Sequence, residues 1–460
     1  MVNQVFRANA VVATMLTLLV VSGCSSWKRV GSEPVPDSDI MVPRLFDPTT
    51  VYSGMGLVTH GGPYPFVASV HYLATAYPDS TLALISVSFS KANLSFVRGA
   101  SDFTAEYNLR VDFQRPDGEL VGRIADTVTV IVSGFRATLS TDYNVTYDGM
   151  VPLPSGSAML SVRLEDMRTG VSGRAESQVT VPDFSSGPSL SSLIPIVRAG
   201  TMRTDLASQP DLELNPRATV PFGTDTLRFY LEAYRADPDA ILQLEARSAE
   251  SGEDFWSAEK AIGGGGEVFA TIIEIAPEDL QVGELTFRAV MEGSDQPVIA
   301  RALVSFSDNW IVSNFEDVLS LLRYFAPPAI LDSLANAGPG ERASLWREFW
   351  DQTDPDVTTP AHEGLVEYFS LLDEANRLFR EPRVPGWLTD RGEVFILLGR
   401  PDETFEPFSD PQSPVRIIRW TYTASRIVLE FVDQTGLEIY RLTDRSRADF
   451  RRIVNRMRRS

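Results

Sequence analysis

The chain has 460 residues, which is enough for two to four domains that each bury a core of their own. Apolar residues make up 43% and charged residues 22% of the sequence, which excludes disorder throughout and a polytopic membrane protein. The formal net charge of −20 argues against nucleic-acid binding by the chain as a whole. The sole cysteine, Cys24, allows neither an intramolecular disulfide nor a thiolate metal cluster.

The N-terminus has the pattern of a secretory signal peptide. Arg7 precedes an apolar run over residues 10–21, which is shorter than the roughly 20 residues that a membrane-spanning helix needs. The run ends at Val21-Ser22-Gly23-Cys24, which resembles the bacterial lipobox. This resemblance implies cleavage before Cys24 and acylation of its thiol, with an ordinary signal peptide as the alternative. We therefore expect residues 1–23 to be removed and Cys24 to be held in a lipid bilayer.

Residues 24–45 are predicted to form a flexible tether, because this segment is polar and contains Pro34, Pro36 and Pro43. Several acyl chains on Cys24 would make the membrane attachment stable. Ser25 follows the cysteine at the position where an inner-membrane retention signal often has Asp. We therefore expect a lipid-anchored protein of the cell envelope, at the outer membrane and facing the periplasm.

Short alternating runs separated by turn residues fill residues 46–184. Examples are the run from Phe103 to Phe113 and the run from Ala158 to Leu164, with turn signals at Pro116-Asp117-Gly118 and Asp148-Gly149. Strands at such spacing predict an antiparallel β-sandwich, immunoglobulin-like in general form, with a partly open barrel as the alternative.

Residues 189–307 also contain short alternating runs separated by turn residues, and this pattern predicts a second β-sandwich. The boundary is predicted at Ser185-Ser186-Gly187-Pro188, and Gly263–Gly266 is predicted to be a flexible hairpin tip. The predicted strands are Leu227–Tyr234, Ile241–Arg247, Val268–Ile275, Leu285–Met291 and Val298–Phe306.

The apolar period changes from two to 3.6 after Trp310, so residues 310–460 are predicted to form a separate α+β domain. Its first helix ends before Pro327-Pro328, and its third begins with Thr359 as the N-cap. The chain ends in an amphipathic helix around Phe450. The predicted strands of a small antiparallel meander are Val394–Leu398, Ile417–Tyr422, Ile427–Val432 and Leu437–Leu442.

The string Gly386-Trp387-Leu388-Thr389-Asp390 resembles the defining signature of the GWxTD-domain family of bacterial envelope proteins. The resemblance covers roughly Trp310 to Leu442 and implies no established biochemical activity. The family tends to carry Asn where this chain has His362. The resemblance therefore implies no role for this position. The upstream pattern also matches, in Trp346 to Trp350, Asp354-Pro355-Asp356, Thr359 with Glu363, and Glu367-Tyr368-Phe369.

The motif itself allows two interpretations, a fold-defining turn or a binding site for a ligand or partner. In the first, the glycines permit positive φ, the tryptophan anchors the turn, and the polar side chains bond free backbone N–H groups. The guanidinium of Arg391 would then pair with Asp390 or with a helix carboxylate. The candidate residues are Gly386, Trp387, Thr389, Asp390, Arg391 and Gly392.

No catalytic, metal-ligating or cofactor-binding pattern is found in the sequence. His362 lacks the second histidine that a helical zinc-protease site requires, and no Gly-x-Ser-x-Gly string occurs. Glu363 and Glu367 lie one helical turn apart and are secondary candidates for a site, although a solvated acidic helix face is the favoured explanation of this pair. We therefore predict no catalytic residue, no metal and no cofactor.

The charge is unevenly distributed along the chain. Residues 383–460 carry a net charge of +3, whereas residues 25–382 carry −24. The preferred hypothesis is a non-enzymatic envelope lipoprotein that binds an envelope protein partner or supports an assembly. The alternative is an envelope enzyme or ligand-binding module that acts on polysaccharide or peptide through the GWxTD region.

Overall fold

The described part of the chain divides into two compact units, one within residues 48–353 and one within residues 354–457. The predicted signal peptide, Cys24, the tether and the predicted cap Thr359 lie outside the described residues. No helix in the described ranges is long and apolar enough to cross a membrane. This computed structural model describes residues 48–99, 102–134, 138, 144–237, 239–249, 251–263, 267–294, 296–305, 315–355, 363–382, 384–407 and 415–457.

The first β module begins with a short helix, α1, and continues as two antiparallel sheets. Its elements are α1 (Pro48–Gly54), β1 (Val58–His60), β2 (Phe66–Ala74), β3 (Thr81–Ser90), β4 (Val97–Arg98), β5 (Phe103–Gln114), β6 (Leu120–Val132), β7 (Asn144–Leu153), β8 (Gly156–Asp166) and β9 (Ser172–Val181). One sheet has the order β1-β2-β3-β7. The other has the order β4-β5-β8-β9, and β6 pairs with β5.

The two sheets of this module enclose one hydrophobic core. Leu109 and Val111 of β5 are buried, whereas Arg110 between them is exposed, as strand alternation requires. Ile85 and Val87 of β3 join the same cluster from the opposite sheet. The predicted antiparallel sandwich is therefore confirmed.

The predicted turn at Asp148-Gly149 is wrong, because both residues lie inside β7. The hydroxyl of Ser86 on the neighbouring strand donates to the Asp148 carboxylate at 2.5 Å, so this aspartate bonds across the sheet rather than within a turn. A Cβ on Gly149 would lie 3.0 Å from a methyl carbon of Ile124, which explains why glycine suits this strand position.

The second β module consists of two further sheets. Its strands are β10 (Ser189–Leu190), β11 (Ile194–Ala199), β12 (Leu212–Leu214), β13 (Thr219–Pro221), β14 (Leu227–Tyr234), β15 (Ile241–Ser248), β16 (Asp254–Ala261), β17 (Val268–Ile275), β18 (Gly283–Met291) and β19 (Val298–Ser305). One sheet has the order β10-β14-β11-β12, and β17 pairs with β14. The other has the order β13-β19-β18-β15-β16, in which only the β13–β19 pair is parallel. Phe229 and Phe287 from the two sheets contact each other, with ring centroids 4.8 Å apart and ring planes tilted by 50°.

Buried side chains of the two β modules pack against each other. Leu73 of β2 and Leu84 of β3 pack in one cluster with Tyr230 of the second module. Beside them, the guanidinium of Arg203 donates to the Glu232 carboxylate at 3.0 Å, and neither side chain is more than 2% exposed. A buried ion pair needs further hydrogen bonds to offset its desolvation. Glu232 receives them from the hydroxyls of Tyr230 and Tyr234, at 2.5 and 2.6 Å.

Three helices follow the second module and belong to the same compact unit. They are α2 (Phe315–Leu321), α3 (Pro328–Asn336) and α4 (Pro339–Thr353). Trp346 of α4 lies 6.4 Å from the ring of Phe222, and the Arg347 side chain donates to the carbonyl of Gly223 at 3.1 Å. These helices therefore group with the β modules, and the division between the units falls inside the predicted segment 310–460.

The C-terminal unit packs helices on a small antiparallel sheet, which confirms the predicted α+β arrangement. Its elements are α5 (Glu363–Leu378), α6 (Asp390–Leu398), β20 (Glu403–Phe405), β21 (Arg416–Tyr422), β22 (Ile427–Asp433), β23 (Arg441–Leu442) and α7 (Asp444–Met457). The sheet order is β20-β21-β22-β23. Trp420 of β21 lies at the centre of the core, with its ring 5.3 Å from Phe379 and 4.7 Å from Phe431.

Two predicted strands of this unit are wrong. Residues 394–398 form the second half of α6, because the run of apolar residues suits either structure and the cap at Thr389 starts a helix before it. Residues 437–440 are not a strand, because the Asp433 carboxylate accepts hydrogen bonds from the backbone N–H groups of Thr435, Gly436 and Glu438. These bonds extend the turn, so only Arg441–Leu442 pairs with β22.

Candidate functional site

The motif connects α5 to α6 through a single 3₁₀ turn over Gly386–Leu388. Thr389 has extended backbone angles and forms the N-cap of α6. Its hydroxyl donates to the carbonyl of Gly386 at 2.7 Å and accepts from the N–H of Gly392 at 3.1 Å. Because the first N–H groups of a helix have no partner within the helix, this one side chain both starts α6 and closes the turn before it.

Both glycines of the motif are required by close backbone approach. A Cβ on Gly386 would lie 2.3 Å from the carbonyl oxygen of Ala375 on α5. A Cβ on Gly392 would lie 1.9 Å from the carbonyl oxygen of Gly386. Neither glycine has a positive φ, so the predicted reason for their presence is wrong. Gly399 does have a positive φ, of 75°, and ends α6.

Trp387 is the buried anchor of the turn. Only 4% of its surface is exposed, and the N–H of its indole makes no hydrogen bond within the described part of the chain. The next residue, Leu388, is 37% exposed. The tryptophan therefore contributes mainly apolar contact to the core between α5 and α6.

Asp390 is the first residue of α6, and its carboxylate joins the motif to the end of the sheet. It accepts a hydrogen bond from the backbone N–H of Leu442 at 2.7 Å. It also forms a very short ion pair with Arg447 of α7. The predicted pairing of Arg391 with Asp390 is therefore wrong, because Arg447 occupies this carboxylate.

Arg391 is held by aromatic rings. Its guanidinium carbon lies 4.3 Å from the ring centroid of Tyr440 and 5.4 Å from that of Phe379. Only 7% of the residue is exposed, and this burial lowers the pKa of its guanidinium below the usual value. Such cation–π contacts partly offset the desolvation of the charge.

Glu381 is a part of the site that the sequence does not indicate. This side chain, in the short connection after α5, is 2% exposed. It accepts a hydrogen bond from the backbone N–H of Tyr440 at 3.1 Å and forms an ion pair with Arg441 at 2.8 Å. Glu381 and Asp390 thus both bond the same chain segment, residues 440–442. The spacing of residues in the sequence cannot predict these contacts of Glu381, because its partners lie about 60 positions away in the chain.

The structure brings together the six motif residues, and of the two secondary candidates it describes only the side chain of Glu367. Glu367 is exposed on α5. Glu363 is the first residue of α5, and its side chain lies outside the described part of the structure. General acid–base catalysis requires a titratable group within hydrogen-bond reach of a substrate proton. The Asp390 carboxylate is already engaged by two protein partners, so the described motif is arranged to connect α5, α6, β23 and α7.

Comparison with known proteins supports the resemblance carried by the motif. The family profile of the GWxTD domain matches residues 298–448. This part of the chain is a GWxTD domain. The match begins at β19, includes the helices of the first unit and continues into α7 of the second, so the GWxTD domain spans the division between the two compact units.

Other comparisons add little to the GWxTD assignment. None of the curated proteins matches the chain. Among solved structures, the transglutaminase of red sea bream is similar over 52% of this chain, with 9% identity and a TM-score of 0.16. The similarity covers 31% of the transglutaminase chain. A likeness this weak carries no argument about fold or activity.

Proposed function

We propose that this chain is a lipid-anchored protein of the bacterial cell envelope that binds a protein partner and supports an envelope assembly. The lipobox-like residues before Cys24 and the polar segment 24–45 support the anchor and the tether. The proposed place is the outer membrane, facing the periplasm. The proposed action is non-enzymatic, and it belongs to the C-terminal end of the GWxTD domain.

The observation that carries this proposal is that the polar side chains of the motif bond groups of their own unit. Thr389 bonds two backbone groups of its own turn, and Asp390 bonds Leu442 and Arg447. The buried guanidinium of Arg391 lies close to two aromatic rings. These polar groups stabilise the unit and do not converge on a common point where a substrate atom would sit. The motif therefore supports a binding surface formed elsewhere on the same unit.

The outer face of α7 offers such a surface. Phe450 and Ile453 bury the inner face of this helix, whereas four arginines on it are exposed. Within the described residues, three of these four form no ion pair, and Arg452 pairs with Asp449 at 3.0 Å. Unpaired arginines favour an acidic partner surface, because complementary charge speeds association and selects the partner. The exposed arginines are Arg445, Arg451, Arg452 and Arg456.

Charge reversal on α7 tests this proposal. We expect the triple variant Arg445→Glu, Arg451→Glu and Arg456→Glu to lose partner capture by about tenfold or more, because attraction becomes repulsion. The measurement is cross-linking of the full chain in intact envelopes, followed by quantitative mass spectrometry of the captured proteins.

The matched control makes the same change of charge on the β modules. Arg163, Arg174 and Arg198 are exposed arginines paired with carboxylates of their own modules, at 2.9, 2.5 and 2.6 Å. Replacing these three with glutamate should leave capture within about twofold of the wild type, because surface ion pairs contribute little. Equal capture by both triple variants would contradict a partner surface on α7.

A further inference from the structure

Strand β6 lies at one edge of its sheet in the first β module. It has 13 residues and pairs with β5 on one side. On its other side, the backbone of β6 makes no hydrogen bond within the part of the chain that the structure describes. Strands in globular proteins usually have about five or six residues. A free edge of this length presents a row of unpaired N–H and C=O groups, which can bind another strand.

The first half of β6 carries features that oppose such pairing. Arg123 forms an ion pair with Asp112 at 2.5 Å, and the register between β5 and β6 shifts near the start of the strand. Asp126 lies opposite the buried Leu109, so its carboxylate is on the core side of the sheet, where it accepts a hydrogen bond from the hydroxyl of Tyr147 at 3.4 Å. Charges, bulges and inward-pointing charges are the means by which natural edge strands avoid association.

The second half of β6, residues 127–132, is different. All six of its residues are β-branched, and the segment contains no charge and no proline. Ile131 on the outer face is 64% exposed, and Val128 and Val130 on the core side are only partly buried. Uncharged segments of high β-propensity are the ones that add to other strands. This half of the edge is therefore suited to pairing with a further strand.

The opposite edge of the same sheet shows the contrast. There, β9 carries Arg174 and Glu176, which pair with each other at 2.5 Å, and Pro182 follows its last residue. Charged side chains and proline on an edge strand prevent the addition of a further strand. The sheet thus has a protected edge at β9 and an open one at the second half of β6.

The open half of β6 is complementary to itself. When two copies pair antiparallel about Thr129, this threonine lies opposite Thr129 of the second copy, Val128 lies opposite Val130, and Thr127 lies opposite Ile131. Opposite residues share one face of a sheet, so the valines meet on the core side and Ile131 is covered on the outer face. The pairing would bury the apolar surface that one copy leaves open.

The charges of β6 favour this register over pairing of the two strands along their whole length. Centred on Thr129, the pairing places Asp126 opposite Val132 of the second copy. Pairing of all 13 residues would be centred on Asp126 and would bring two aspartates directly opposite each other. Like charges in that position destabilise a pair of strands.

We propose that β6 joins two copies of this chain by antiparallel pairing of residues 127–132, which makes one continuous sheet from two. The same surface patch serves both copies, as in most symmetric dimers. The interface lies in the first β module and is independent of the partner surface on α7. Either interaction can therefore fail without the other.

Self-association of the full chain in detergent, measured by sedimentation velocity, tests this dimer. The wild type should form dimers at protein concentrations of up to about 100 μM. Thr129→Glu should weaken dimerisation about tenfold or more, because two carboxylates would lie opposite each other. Its melting temperature should stay within about 2 °C of that of the wild type, because Thr129 is exposed.

Thr180→Glu is the matched control, because it makes the same change at an exposed position of β9 and should dimerise as the wild type does. Cysteine at position 129 adds a direct test. Opposite Cα atoms of antiparallel strands are about 4.5–5.5 Å apart, which a disulfide can span. Under mild oxidation, Thr129→Cys should give a disulfide-linked dimer, whereas Thr180→Cys should not.

Three results would overturn the proposed dimer. The first is a wild type that stays monomeric, and the second is equal dimerisation of Thr129→Glu and the wild type. The third is a Thr129→Cys variant that forms no disulfide between two copies, whether it stays unlinked or is captured by another protein.

Discussion

Replacing Trp387 with alanine is expected to lower the free energy of unfolding of the C-terminal unit by about 3–5 kcal/mol. Trp387 is 4% exposed and lies in the tight turn that Thr389 closes. Its removal leaves a cavity that the neighbouring backbone cannot fill, because Gly392 already packs against the Cα atom of Trp387. Differential scanning calorimetry of the full chain should show an earlier and broader transition for this unit.

Leu388→Ala is the matched control for this prediction. Leu388 is the next residue and is 37% exposed, so its truncation should cost about 1 kcal/mol or less. Gly392→Ala provides a second test of the same turn, since its new Cβ would collide with the carbonyl oxygen of Gly386. A wild-type melting curve for Trp387→Ala, together with loss of function in cells, would show that the motif is a binding site rather than a fold-defining turn.

Cys24→Ala is expected to release the protein from the membrane fraction completely. The variant lacks the thiol that would carry the acyl chains, and each buried methylene contributes about 0.8 kcal/mol to membrane attachment. The measurements are incorporation of radioactive palmitate and fractionation of the envelope.

The control for the anchor is Ser25→Ala, which changes the neighbouring residue and keeps the thiol. This variant should incorporate palmitate as the wild type does. Palmitate incorporation that persists in Cys24→Ala, or that is absent from the wild type, would contradict the lipoprotein proposal. Ser25→Asp tests the expected outer-membrane position separately, because Asp at this position should retain the protein at the inner membrane.

Strand alternation made the β modules predictable from the sequence. In β5, Leu109 and Val111 alternate with Arg110 and Asp112, so one face must be buried whatever the partner sheet is. The run from residue 394 to residue 398 was not predictable in this way. Its five apolar residues have no period, and the helix depends on the hydroxyl of Thr389 bonding the N–H of Gly392.

The sequence identified the motif but not the contacts that give each residue its role. Spacing suggested that Arg391 pairs with Asp390 or with a helix carboxylate, whereas the fold places Arg447 on the Asp390 carboxylate and Tyr440 beside Arg391. These partners lie about 50 residues or more away in the chain. The buried ion pair of Glu232 could not be predicted for the same reason. Its partner Arg203 lies in the loop after β11, which only the fold brings next to β14.

The most direct test of the proposed role of the motif compares the stability and the partner capture of Asp390→Asn. The amide oxygen can still accept from the N–H of Leu442, but the charge that pairs with Arg447 is lost. We expect a loss of stability of about 1 kcal/mol, because Arg447 is partly exposed, and partner capture within about twofold of the wild type. Complete loss of capture or of envelope function, with an unchanged melting temperature, would contradict this account and assign chemistry or direct binding to Asp390.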